Sequence, residues 1–421
     1  MARKYRVVQK YGGTSVGSPD RIRAVARRVK EAHDKGWDVA VVVSAMAGET
    51  NRLLALAQEI APDPDRREVD VLLATGEQVA TALVTLALHT LGVPAVSFQG
   101  HQLKVMTDST HGHARIKFID DSRAQRAFDR GQVVVIAGFQ GIDEHHNITT
   151  LGRGGSDTTA VAIAAALKAD VCEIYTDVDG VYTTDPRICP DALKLDRVSH
   201  EEMLESASVG AKVLQIRSVE CAMRHGVAVH VRSSFNYNEG TWVVPEETTM
   251  EDVVVTNIAS EKEQAKITLS GVPDVPGLAA QIFGPLAKEG IVVDMIVQNV
   301  SHEEGSGGRR TDLTFTVSVA DRARAVAIVE KIGERIGAKK VTSSADVGKV
   351  SVVGLGMRSH AGVAADMFET LADAGINIQM ISTSEIKISV IIDKADVERA
   401  VRLLHTRFVT GAAGTVAGKA G

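Results

Sequence analysis

The feature that most limits what this chain can fold into is an alternation in its first half. Short runs rich in β-branched residues, "RVVQKYGG", "DVAVVVSAM", "PAVSFQG", "QVVVIAGFQG", "VCEIYTDVDG" and "VAVHVRSS", are separated by alanine-rich stretches of helical character. Strand and helix in alternation predict a mainly parallel sheet covered by helices on both faces. In open sheets of that kind ligands sit beyond the carboxyl ends of the strands. The glycines, carboxylates and serines of these segments collect there. Ser18-Pro19-Asp20 supplies an N-cap followed by proline at the first helical position, which marks a helix start.

After about Val244 the pattern changes. Two stretches, "KITLSGVPDVPGLAAQIFGPLAKEGIVVDMIVQNVS" from Lys266 and "KVSVVGLGMRSHAGVAADMFETLADAGINIQMISTSE" from Lys349, align on Gly290 and Gly375. Asp294/Gln379, Met295/Met380 and Ile296/Ile381 then coincide, an internal repeat with a period of roughly 85 residues. Two copies are too few and too long for a solenoid, so a pair of small α+β modules is expected. The segment "SHEEGSGGRR", Ser301 to Arg310, reads as a polar hairpin loop.

A length of 421 residues implies two or three domains, and a net charge of −6 gives no general electrostatic reason for a nucleic-acid or anionic-membrane partner. Cys172, Cys189 and Cys221 are odd in number and lack a C-x-x-C arrangement, which argues against a disulfide framework or zinc site and for a reducing cytoplasm. The first apolar run ends at Gln9-Lys10, too short for a signal-peptide core, and no later segment reads as long enough to span a membrane.

Several segments could carry chemistry. "LGRGGSDTTAVAIAAAL", from Leu151, leads a flexible polar turn into a plain helix. Such a backbone can approach an anion with the helix N-terminus behind it, or it is an ordinary capped turn. "VVQKYGGTS" puts Lys10 at a strand end before Gly12-Gly13, without the spacing of a P-loop; the alternative is a surface lysine at a strand-to-helix turn. "VVVSAMAGETN" ends a strand in small and hydroxyl residues, Ser44 and Thr50 among them. "ATGEQVATALVTLAL" places Glu77 at the beginning of a helix, where it serves the helix dipole or partners a substrate ammonium. "EIYTDVDGVYTTDPR" carries Asp177, Asp179 and Asp185. It fails as a calcium loop, because Tyr182 and Ile188 fall where glycine and glutamate are needed. A nucleotide or Mg²⁺ site, or a Gly-Pro turn, remains open. His145-His146 reads as a solvated loop. No Ser/His/Asp triad, H-E-x-x-H helix or aromatic-basic stripe is present in the sequence.

Taken in order, "KYGGTSV", "VVSAM", "LLATGEQVA", "AGFQG", "TTLGRGGSDTTA", "EIYTDVDGVYTTDPR", "VGAKVL" and the two repeats resemble the aspartokinases of the amino-acid kinase superfamily over nearly the whole chain. The resemblance implies an α/β fold: a carbamate-kinase-like three-layer α/β/α sandwich at 1–245, a linker and first regulatory strand at 246–265, and ferredoxin-like ACT modules at 266–343 and 344–421. It implies transfer of the ATP γ-phosphoryl group to the β-carboxylate of L-aspartate, with Mg²⁺ bridging the phosphates and no metal held by a protein cage. Lys10 and Asp157 would be catalytic. Lys10, Tyr11, Gly12, Gly13, Thr176, Asp177, Tyr182, Thr183, Asp185, Pro186, Arg187 and Lys212 match the nucleotide-binding positions. Ser44, Thr50, Glu77, Arg153, Gly154, Gly155 and Ser156 match those for aspartate, with Arg153 on the α-carboxylate and Glu77 on the ammonium. Asp274, Asp294, Gln298, Asn299, Ser301 and Asn377 would contact an effector, lysine and/or threonine. The chain departs from the pattern in its longer, basic "SHEEGSGGRR" hairpin and in Ala361, where proline often follows the histidine of the second turn. A homodimer, or an α2β2 assembly with a short subunit started near Met250, is implied, with no nucleic-acid or membrane partner. A superfamily relative acting on another acceptor and a non-catalytic amino-acid sensor are the alternatives.

Overall fold

All six β-branched runs form strands: Arg6–Tyr11, Asp38–Val43, Ala95–Phe98, Val133–Ala137, Val171–Thr176 and Val229–Ser233. The computed structural model describes residues 4–211, 213–246, 254–299, 302–303, 309–358, 360 and 362–411. The six strands lie in one sheet in the order 229–233, 171–176, 6–11, 38–43, 133–137, 95–98, and every neighbouring pair is parallel. Thr241–Val244 extends it antiparallel to 229–233, and Arg197–Ser199 adds a further strand. Strands 6–11 and 133–137 are buried along their whole length, and 133–137 accordingly reads as an unbroken apolar run rather than an alternating one.

Helices cover both faces. Ala160, Val161 and Ala164 of the helix Gly155–Leu167 join one core cluster, while Val25 and Val29 of Pro19–Asp34 and Ala80, Val84 and Leu88 of Arg66–Thr90 join the other. Ser18 caps the 19–34 helix by accepting from the Arg21 N–H at 3.3 Å, with Pro19 in the first position. A small separate sheet runs Ile116–Phe118, Met106–Thr107, Gln140–Ile142, Ile148–Thr150.

The Arg66–Thr90 helix corrects two expectations. At 25 residues it is long and apolar enough by length and composition to cross a membrane, which the sequence reading did not anticipate. It nevertheless buries Asp70 and Glu77 inside the protein, where both have protein partners; charged groups in a bilayer are costly. Because the helix starts at Arg66, Glu77 sits in its middle and not in its first turn, so the helix dipole does not account for it.

The chain divides into two units, one formed by Met1–Tyr182, Leu193–Ser208 and Lys212–Thr249, the other by Thr183–Ala192, Val209–Ala211 and Met250–Gly421. A single boundary at 245 was expected; instead two earlier stretches belong to the second unit. Ile188 packs against its core cluster of Val350, Val390 and Leu404, and the Ile258 N–H donates to the Thr183 carbonyl at 2.7 Å. The sheet of the second unit is ordered Ile296–Gln298, Arg309–Ser318, Asn257–Pro273, Lys340–Val353, Lys387–Asp393, Met380–Ser384. Its 257–273 strand runs unbroken through position 266, where the first module was expected to start. The repeat shows in the packing: Met295 and Met380 share one buried cluster with Val347 and Ile391. His302 and Glu303 pair with Arg310 and Arg309, so the expected hairpin forms at its base.

Candidate active site

Lys10 lies near the end of strand 6–11 and is buried to 9% exposure, a position where a free ammonium is costly without a partner. Its Nζ is 2.5 Å from Asp157 Oδ1. Asp157 stands in the first turn of the 155–167 helix, whose N-cap Gly154 has φ 68° and offers no side-chain cap. The N–H groups of that turn therefore have no capping oxygen from Gly154. The turn is threaded tightly: a Cβ on Gly155 would lie 2.8 Å from Phe139, and one on Gly138 would lie 2.8 Å from Ser156 Oγ. Phe139 itself holds φ 67°, rare for an aromatic residue, and its carbonyl accepts from the Leu151 N–H at 2.9 Å.

After Lys10 the chain turns through Gly12 and Gly13. A Cβ on Gly13 would lie 2.8 Å from the Ala45 carbonyl, so the glycine admits the second loop. Ser44 donates its N–H to the Tyr11 carbonyl at 3.1 Å, and Ala47 donates to the Gly13 carbonyl at 3.2 Å. Ala45 in turn donates its N–H to Glu77 Oε1 at 3.1 Å. The contacts thus form a chain from Asp157 through Lys10 and the Gly12-Gly13 turn to Ala45 and Glu77.

Glu77 is 3% exposed, and its second oxygen, Oε2, is buried with no hydrogen-bond partner. Burial pushes its carboxyl up to about 7, against the smaller opposing effect of the Ala45 N–H. Arg153 is exposed and makes no ion pair among the described residues, and Thr50 lies part-buried in the first turn of the helix Glu49–Ile60. One organising residue had no sequence signal. Asp70, fully buried, accepts from the Gly112 N–H at 3.1 Å, the Thr150 N–H at 3.0 Å and the Thr150 hydroxyl, and contacts His111 Nδ1 at 2.9 Å. It fixes the strand end that enters the Leu151–Gly155 loop.

The residues expected to hold a nucleotide fall in both units. Thr176 ends strand 171–176 and donates its hydroxyl to Asp177 Oδ1 at 3.1 Å, while Tyr182 donates to Asp179 at 2.8 Å. Thr183, Asp185, Pro186 and Arg187 belong to the second unit. There Thr183 Oγ1 lies 2.8 Å from His405 Nε2, and Asp185 pairs with Arg187 at 2.7 Å, which holds its carboxyl below the usual range. Lys212 falls outside the described residues, as do Ser301 and Met250.

Among the candidate effector contacts, Asp274, Gln298, Asn299 and Asn377 are exposed. Asp294 is already engaged. Lys349, 1% exposed, reaches it through its ammonium and lies 3.6 Å from Glu261. The lysine that opens the other repeat makes the matching contact, with Lys266 Nζ donating to Gln379 Oε1 at 2.5 Å. The crossing of the two repeats was visible in the sequence only as two lysines at the repeat starts.

The amino acid kinase family matches residues 5–233, and the ACT domain matches residues 267–334 and 350–408. An aspartate kinase of Pseudomonas putida is 55% identical over 96% of this chain and 97% of its own length. Escherichia coli aspartokinase III in complex with aspartate and ADP (R-state) superposes with a TM-score of 0.77 at 27% identity, covering 95% of this chain and 99% of the other. The same enzyme in complex with lysine and aspartate (T-state) gives 0.74 at 27% identity, covering 96% and 99%.

Proposed function

This chain belongs to the amino acid kinase family and, within it, to the aspartokinases, ATP-dependent phosphotransferases with a carboxyl acceptor; from that premise we propose that it converts L-aspartate and ATP to 4-phospho-L-aspartate and ADP. The observation that carries the acceptor is Glu77. A buried carboxylate with one partnerless oxygen is unstable by itself, and a substrate ammonium completes it. Arg153, exposed and unpaired among the described residues, takes the α-carboxylate in a bidentate grip. Ser44, Thr50 and Ser156 line the same place. Support for the acceptor also comes from the Escherichia coli relative, whose R-state complex contains aspartate and ADP.

The β-carboxylate, with an ordinary pKa of about 4, is ionised at neutral pH, so its oxygen attacks the γ-phosphorus without a general base. The carboxylate O–P bond forms as the bond to the β,γ-bridging oxygen breaks, and that oxygen leaves with ADP. Lys10 meets the charge on the transferring group, and Asp157 holds its ammonium in place. Backbone N–H groups of Gly13 and Gly154 are assigned to the same charge, whereas those of Gly12 and Gly155 donate to the Tyr175 and Gly152 carbonyls at 3.3 and 2.9 Å. Gly12 keeps the approach to the lysine open, since a Cβ there would lie 3.4 Å from Lys10 Nζ. Tyr11, Thr176, Asp177, Tyr182, Thr183, Asp185, Pro186, Arg187 and Lys212 are assigned to the rest of ATP. Mg²⁺ would spread the charge of the phosphates. An ion in that place would be held mainly by phosphate oxygens and water.

The ACT modules are assigned to feedback by lysine and/or threonine, through Asp274, Asp294, Gln298, Asn299, Ser301 and Asn377, on the first step toward lysine, threonine and methionine. The T-state relative, with lysine and aspartate, supports this reading. The assembly is assigned as a homodimer or an α2β2 form with a subunit begun at Met250, in the cytoplasm. Met250→Leu in the native host then removes a short second band.

The test is a hydroxylamine trap with MgATP and L-aspartate. Aspartyl hydroxamate that falls on adding lysine plus threonine supports acyl-phosphate chemistry and effector control together. ATP turnover with another acceptor only assigns a different substrate. Amino-acid binding without turnover leaves a sensor.

A further inference from the structure

Behind the acceptor loop the first unit carries a half-open groove of about 520 Å³, within the roughly 300–1,000 Å³ usual for small-ligand sites. Its floor is the back of the 155–167 helix, where Ala162, Ala165 and Ala166 leave space because none has more than a methyl group. One wall is the short edge strand 116–118, with Ile116 and the exposed Phe118. The other is the helix Ile216–His225. The same 155–167 helix carries Ser156 and Asp157 at its start.

The groove is unevenly charged. Arg115, Lys117, Arg217 and Arg224 line it against only two carboxylates, Asp121 and Glu220, and Glu220 is taken by Arg224 at 3.0 Å. Arg115 and Lys117 make no ion pair among the described residues. Burial and the like charge of Arg115 both disfavour the Arg217 cation, while Asp108, outside the lining, and Glu220 favour it. Arg217 is also tied to the acceptor loop. Its two terminal nitrogens donate to the Leu151 carbonyl and, at 2.8 Å, to the Ala114 carbonyl. Leu151 stands two residues before Arg153.

We propose that this groove is a second ligand site, for a small organic anion with an apolar body, and that Arg217 transmits its occupancy to the Leu151–Gly155 loop. The anionic group meets Arg115 and Lys117, and the apolar body lies over the alanine floor against Ile116 and Phe118. The transmission clause rests on the assignment of Arg153 to the acceptor; the binding clause does not.

Cys221 lines the groove and is part-exposed, whereas Cys172 and Cys189 are buried, so the groove contains its own reporter thiol. The probe is anilinonaphthalene sulfonate, an anion on an aromatic body, titrated into the full chain while neutral iodoacetamide alkylates Cys221. Bound probe is expected to slow alkylation at least tenfold over the range in which its fluorescence saturates. Arg115→Glu with Lys117→Glu weakens this protection at least tenfold, and Ala162→Trp, which fills the floor, removes it. Probe fluorescence that saturates while Cys221 alkylation is unchanged overturns the site, as does protection indifferent to the charge reversal. Alkylation that is blocked without probe and released on dissociating subunits assigns the groove to a second copy of the chain and also overturns it. For transmission, saturating probe shifts the KM for aspartate severalfold in the wild type and not in Ala162→Trp. An unshifted KM with protection intact overturns transmission alone. The hydroxylamine trap run without probe reports separately whether the acceptor assignment stands.

Discussion

Two buried charges, one in each unit, are treated in opposite ways. In the first, Glu77 is 3% exposed with one oxygen partnerless; in the second, Lys349 is 1% exposed but held by Asp294 and Glu261. Desolvating an ionised group costs several kcal/mol unless a partner returns it. Lys349 has its partners inside the chain, so that charge is part of the folded architecture. Glu77 lacks one, and its carboxyl answers by rising to about 7. At Lys349 the pairing is complete within the chain; at Glu77 it is left for a ligand to complete.

Lys10, buried like Lys349 but paired with Asp157 inside the candidate site, carries the largest expected effect. Lys10→Ala is expected to lower kcat about 10³-fold with modest loss of ATP affinity, because the charge it meets develops during transfer. Steady-state kinetics in both substrates checks it, and an equal loss in KM for ATP with kcat intact would make Lys10 a binding group only.

Glu77→Gln and Asp294→Asn then set the two buried charges against each other. Glu77→Gln removes the charge meant for an ammonium and should raise the KM for aspartate about 100-fold, in line with about 3 kcal/mol for a charged hydrogen bond. It should also stabilise the free protein above pH 7. The sign follows from a carboxyl raised from 4.5 to about 7: the folded state binds the proton more tightly, so stability is lost as pH rises through that window. The Gln variant escapes that loss, up to roughly 3 kcal/mol. Asp294→Asn does the reverse and leaves Lys349 with Glu261 alone at 3.6 Å, with an expected cost of about 1–2 kcal/mol because Asp294 is partly exposed and screened. Thermal melts at pH 8 without ligands compare the two, and shifts of the same sign would break the contrast.

The pH profile sharpens it further. Protonated Glu77 cannot accept from an ammonium as an anion, so kcat/KM for aspartate should fall about tenfold per pH unit below about 7. A profile flat to pH 5.5 would remove Glu77 from the ammonium role. The smallest effect belongs to Arg153, which is exposed. Arg153→Lys keeps the charge but loses the planar fork, and should raise the KM for aspartate about tenfold with little change in kcat.

The strands, the repeat and most loop residues were legible because they depend on local patterns. An unbroken valine run can only be a strand buried on both faces, and a repeat declares itself by period. "KYGG" and "LGRGGSD" were legible as turns, because adjacent glycines interrupt the strand and helix patterns on either side. Asp70 was not legible. An aspartate within "REVDVLLATGEQ" carries no mark that it will collect N–H groups from residues 112 and 150, far along the chain. The place of Glu77 was misjudged because "ATGEQ" resembles a helix start, whereas the helix had begun eleven residues earlier at Arg66.

By itself, then, the sequence determined the parallel sheet and the two repeats, since these follow from periodicity and local backbone freedom. Only the tertiary structure decided which charges are paired. Pairing depends on groups 55 to 147 residues apart, Asp294 with Lys349 and Lys10 with Asp157, and on the removal of water around them. The same physics left Glu77 Oε2 without a partner, because burial is a property of the packed chain and not of any segment within it.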